Sequence, residues 1–128
     1  MIIGVLQVEL DIPGAESLKD KRSVVKSVKD KLHREHLVSV AEVAQQDSIT
    51  TAILGFALVG SDGRKIGQTL DRICEKLRSL HDADVAATKR HMIRGDAPVR
   101  EHQAEPIDHD YVQQMIADAK AFEESEQQ

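Results

Sequence analysis

"LVSVAEVAQQDSITTAILGFALVG", residues 37–60, holds two β-rich runs with no helix between them, and that adjacency decides the fold. The runs "LVSVAEVA" (37–44) and "ITTAILGFALVG" (49–60) flank the short polar stretch "QQDS", which reads as a hairpin. Upstream, Ile2, Leu6, Val8, Leu10 and Ile12 share one parity while Gln7, Glu9 and Asp11 share the other, a half-buried strand that Pro13 and Gly14 stop. Ser17, with Asp20 three residues on, forms a capping box for a helix running to about Glu35. Downstream, Ser61, Asp62 and Gly63 open a second helix in which Ile66, Leu70, Ile73, Leu77 and Leu80 keep helical spacing, and a fourth strand covers 84–93. The order βαββαβ predicts an α+β fold, the ferredoxin-like sandwich: a four-stranded antiparallel sheet with both helices on one face. Right-handed crossovers predict the first and fourth strands at the sheet centre, flanked by the third and second. A different α+β strand order is the alternative.

The 128 residues suit one domain with a modest core. The apolar opening "MIIGVLQVEL" has no basic leader, and no apolar run approaches the roughly 20 residues of a membrane span, so a cytoplasmic protein without membrane association is expected. Cys74 is the single cysteine, which excludes an internal disulfide framework and any CxxC pair. The net charge of −5 is unevenly placed. Residues 96–128 carry nine acids against Arg100 and Lys120, a net of −7, which leaves +2 on residues 1–95. The expected organisation is therefore a ferredoxin-like domain over 1–95, a polar linker over 96–106 bounded near Pro98 and Pro106, and an acidic C-terminal helix and tail over 107–128. In that helix Tyr111, Met115, Ala119 and Phe122 recur at helical spacing and call for an apolar partner, either the open sheet face or another subunit. The Glu/Ser/Gln end is expected to be disordered.

The stretch "SLKDKR" (17–22) loads Lys19, Lys21 and Arg22 into a first turn whose backbone dipole favours anions. At about 100° per residue Lys21 falls inside the apolar stripe of Leu18, Val25, Val28 and Leu32, so it must snorkel outward or meet an anion. Glu42 shares strand parity with Val38 and Val40 and is the first candidate partner, with Asp47 in the hairpin turn the second. Lys19, Arg22, Lys26, Lys29 and His33 fall between about 20° and 100° on the same wheel, one stripe beside the buried face. Lys65, Arg72 and Lys76 make a similar stripe on the second helix; if the two flanks adjoin, they form a surface suited to phosphates. Charged helix faces are more often simply solvated, and that plainer reading stands beside the functional one.

"SLKDKRSVVKSVKDKL", "VSVAEV", the "QD" at 46–47 and "AILGFALVGSD" together resemble the YlxP-like family of small bacterial proteins of unknown function, over about residues 1–93. The resemblance implies the ferredoxin-like fold. The family's genes often lie near those for translation initiation and ribosome maturation factors, which implies association with ribosomal RNA or a ribosome-associated protein. Its motif positions correspond here to Ser17, Leu18, Lys19, Lys21, Arg22, Glu42 and Asp47, with no catalytic role attached to them. The chain departs from the family pattern at His36-Leu37, where many relatives have Phe-Asn, and at Ser48-Ile49, where Leu-Trp is common.

An acylphosphatase-like hydrolase would need an asparagine, and the chain has none. Base-stacking RNA recognition needs sheet aromatics, and only Phe56 could serve. His33 with His36, and His102 with Asp108 and His109, give no recognisable metal-ligand spacing; His81 and His91 are expected to cap or pack, and Cys74 to sit at the core margin. "SDGRK" lacks the GK[ST] ending of a phosphate-binding loop. The expectation is a non-enzymatic, cofactor-free RNA- or ribosome-associated module that touches phosphates with Lys19, Arg22, Lys26 and Lys29, supported by Lys65, Arg72 and Lys76. The alternative is a self-associating module, a homodimer through the sheet or the C-terminal helix. The third reading, a hydrolase of small phosphate compounds, has least support.

Overall fold

Ile2–Asp11 form β1 and Leu18–His36 form α1; Ser39–Ala44 (β2) and Thr51–Gly60 (β3) make the hairpin; Gly63–Arg78 form α2 and Asp84–Arg94 form β4. A last helix, α3, spans His109–Glu126. The computed structural model describes residues 1–95 and 109–126, and the chain divides into two units, Met1–Ala97 and Pro98–Gln128. The expected linker, 96–106, lies outside the described residues. Described by itself, α3 is an 18-residue helix that reaches Glu126, so most of the Glu-rich end expected to be disordered is helical.

The sheet is antiparallel, in the order β2-β3-β1-β4, which is the ferredoxin-like arrangement. The expected order of strands is corrected: β1 and β3 are central, and β4 lies at an edge. The hairpin forces β3 beside β2, and each crossover steps over one strand, so β1 ends between β3 and β4. Two element starts also differ. The strand β2 begins at Ser39 because Leu37 takes the left-handed conformation (φ 52°) that ends α1, its N–H donating to the His33 carbonyl. In β3 the ladder begins at Thr51, after Ser48 has turned the chain and accepted the Thr51 N–H on its hydroxyl.

Alternation places Leu6, Val8 and Leu10 of β1 and Ala52, Leu54 and Phe56 of β3 on the helix side, all buried. Over them α1 lays Val25, Val28 and Leu32, and α2 lays Ile66, Leu70, Ile73 and Leu77. Close seating of α2 depends on Gly4, where a Cβ would collide with Ile66 and press on Leu58 and Leu70. Cys74 is buried at the margin of this core, as its place on the wheel implies. Both edge strands break register once: the β2–β3 pairing skips Val43, and the β1–β4 pairing skips Ala86. Such bulges are a common way to blunt an open edge.

Candidate functional site: a caged lysine and a cationic flank

The first turn of α1 answers one of its three cations and caps its own N-terminus. Ser17 accepts the Asp20 N–H on its hydroxyl, and the Asp20 carboxylate in turn accepts the Glu16 N–H at 3.0 Å. Lys21, one residue on, turns beneath the helix and is fully buried. Its ammonium donates to the carbonyls of Gln45 at 2.7 Å and Thr51 at 3.0 Å, with Gln46 at 3.4 Å and the Glu42 carboxylate at 3.6 Å. An ammonium has three donors and no acceptor, so a ring of carbonyls closed by one carboxylate satisfies it without water. Asp47, the second candidate partner, is exposed and stays outside the cage.

The hairpin tip is shaped to offer those oxygens. Gln45 adopts φ 59°, an uncommon conformation for a residue other than glycine or asparagine, and its carbonyl accepts both the Lys21 ammonium and the Ser48 N–H. The Gln46 side chain donates back to the Glu42 carbonyl. Residue type gives no signal for these carbonyl directions, so sequence reasoning finds Glu42 and misses the three backbone oxygens.

Outside the cage, Lys19, Arg22, Lys26 and Lys29 lie on one flank of α1, Lys29 half-buried and the others exposed. Lys26 pairs with Asp30 at 3.0 Å, both well exposed, and the bond holds the Asp30 carboxyl below its usual range. Lys19, Arg22 and Lys29 form no ion pair among the described residues. His33, on the same stripe, engages the Val38 carbonyl through Nδ1 at 2.7 Å.

The cations of α2 lie elsewhere. The side of α1 that meets α2 is the one bearing Val28, Lys31 and Glu35, since Lys76 pairs with Glu35 and a small cleft is lined by Val28, Lys31, Leu32, Lys76 and Leu80. On the wheel Lys31 and Glu35 sit about 160° or more from the centre of the Lys19–His33 stripe. The two basic stripes therefore do not adjoin: the first faces away from α2, and Arg72 and Lys76 border the last turn of α1 instead. There Lys76 lowers the Glu35 carboxyl by its hydrogen bond. Burial, with the charges of Lys76 and Arg72, holds the His36 imidazole below its usual range, and its Nε2 is buried without a partner among the described residues. Lys65 stands in the first turn of α2, its N–H donating to the Asp62 cap.

Several smaller expectations meet the structure here. His81 and His91, expected to cap or pack, are both exposed. Phe56 is 1 % exposed on the helix side, so the open sheet face presents no phenylalanine, tyrosine or tryptophan among the described residues. Sequence reasoning also passed over Arg90, which pairs with Asp71 of α2 at 2.8 Å. Burial is the largest single influence and opposes the Arg90 charge, but the hydrogen bond and charge of Asp71, together with Cys74, raise its pKa overall. Among the described residues no helix is long and apolar enough to cross a membrane.

The family described as "Protein of unknown function (DUF503)" matches residues 3–90. The chain is similar to the "Uncharacterized protein YlxP" of Bacillus subtilis (strain 168), with 28% identity over 88 residues, 69% of this chain and 96% of that protein. A de novo designed protein with ferredoxin fold, solved by solution NMR, is similar at TM-score 0.43 and 18% identity, with 85% of this chain and 100% of that one covered.

Proposed function

The chain belongs to the family described as Protein of unknown function (DUF503), and we propose that this member is a non-enzymatic accessory module that binds RNA through phosphate contacts from the outer flank of α1. One observation carries the reading: Lys19, Arg22 and Lys29 form no ion pair among the described residues, and they share a helix flank with Lys26, whose exposed partner Asp30 lies one turn away. Cations without an ion-pair partner among the described residues are available to a polyanion. The separation of the two stripes restricts the site to α1, with Lys65, Arg72 and Lys76 outside it. Phosphate contact needs no base stacking, which suits a sheet whose one buried phenylalanine faces the helices. The ribosome as the setting, and with it the cytoplasm, follows from the gene neighbourhood that the YlxP-like resemblance implies.

Fluorescence anisotropy with a labelled single-stranded RNA tests the reading. Four phosphate contacts correspond to a log–log salt slope of about −3, or a loss of roughly 50-fold in affinity between 50 and 200 mM salt. Neutralising Lys19, Arg22, Lys26 and Lys29 to Gln should flatten that slope and remove most binding. Affinity that ignores salt, or survives the fourfold change, overturns the proposal. The alternative, a self-associating module, draws on a different part of the molecule, the open sheet face.

A further inference from the structure

We propose that the open face of the sheet is where a second copy of this chain docks, face to face, with α1 and α2 of each copy turned outward. An antiparallel sheet with one solvated face ordinarily alternates apolar and polar residues. Here the outward parity is largely apolar as well. Ile3 of β1 lies between Val59 of β3 and Ile93 of β4, an apolar row across three strands. Val5 follows between Ala57 and His91, and Ile53 and Val43 extend the patch toward the β2 edge. Val59 is 66% exposed, Val43 48% and Ile93 42%. Gly55 keeps the middle low: a Cβ there would stand 2.9 Å from Val43 Cγ1, so the bulged valine folds across the glycine. A depression of about 310 Å³ opens at this point, with Val5, Val43, Gly55 and Ala57 among its lining residues. Contiguous apolar surface of this kind marks an interaction site more often than a solvated face.

Area and charge both point to a second copy. Strands of 10 residues, at about 3.4 Å per residue and about 4.8 Å apart, offer roughly 500 Å² per face, about 1,000 Å² for a pair, which reaches the lower limit of specific interfaces. On the outward parity Glu9 lies opposite Ala87, Asp11 opposite Asp84 and Gln7 opposite Lys89, so carboxylates and an ammonium stand on neighbouring strands. A two-fold axis lets Lys89 of each copy meet Glu9 of the other, a self-complementary pairing.

Sedimentation velocity on the full chain from about 1 to 100 µM tests this, a range that covers the weak end expected at the lower size limit of specific interfaces. The wild type should show a species of twice the 14.2 kDa chain mass. Val59→Lys, at a position already mostly exposed, should be monomeric with an unchanged circular dichroism spectrum. Lys89→Glu should weaken association about tenfold, and Glu9→Lys added to it should restore the affinity. A monomeric wild type overturns the proposal. So does a dimer that both Val59→Lys and Lys89→Glu leave intact, because its interface then lies elsewhere.

Discussion

Lys21 and Lys26 stand five residues apart on α1, the first with a side chain 0% exposed and the second 79%. Each has a carboxylate within reach, yet the two ion pairs differ in kind. Around Lys21 the carbonyls of Gln45, Gln46 and Thr51 replace water, and Glu42 closes the cage. Around Lys26 the solvent remains, and Asp30 is one ligand among many waters. The difference teaches that the same residue type serves as a structural rivet where the fold surrounds it with oxygens. Where the fold leaves it in solvent, its charge is screened and holds little of the structure together. Arginine could not replace Lys21 easily, because its flat fork does not fit a cup of carbonyls.

Three measurements break or sharpen that contrast. Lys21→Met keeps the stem but leaves Glu42 and three carbonyls without their cation; chemical denaturation should show a loss of about 3–5 kcal/mol. A loss below about 1 kcal/mol would mean that water reaches those oxygens freely and that the cage holds little together. Glu42→Gln removes the formal charge while the carbonyls stay, so the expected loss is smaller, about 1–2 kcal/mol. Should Glu42→Gln cost as much as Lys21→Met, the carboxylate rather than the backbone would dominate. Lys26→Ala lies at the other end of the scale: the i,i+4 pair is exposed and screened by solvent, so the thermal midpoint should barely move. A large shift there would erase the distinction between the two lysines.

Much of this contrast can be read before any coordinates. A helix wheel turns Lys21 under, and strand parity turns Glu42 inward, because both periodicities are local properties of the backbone. The carbonyls of the cage are not legible, since Gln45 reaches φ 59° without the glycine or asparagine that normally announces such a turn. Two further expectations fail for a shared reason. The wheel fixes an angle about a helix's own axis and says nothing of how α1 and α2 are rotated toward each other, so the meeting of their basic flanks was never encoded in it. In the same way the crossover rule constrains handedness, and the central position of β3 follows only once the hairpin is paired. The apolar outward parity of β1 and β3 was visible in Ile3, Val5, Ile53 and Val59, but the buried parity beside it was the stronger signal.

The cage also bears on how the molecule opens. Its carbonyl oxygens come from the β2–β3 hairpin, 24 to 30 residues downstream of Lys21, so the ammonium cannot shed its water until helix and hairpin have met. The reverse holds in the native state: any fluctuation that lifts the tip rehydrates the charge and loosens the start of α1 with it. The hairpin tip and the first turns of that helix thus form a single cooperative unit, and their backbone amides should exchange with solvent deuterium together.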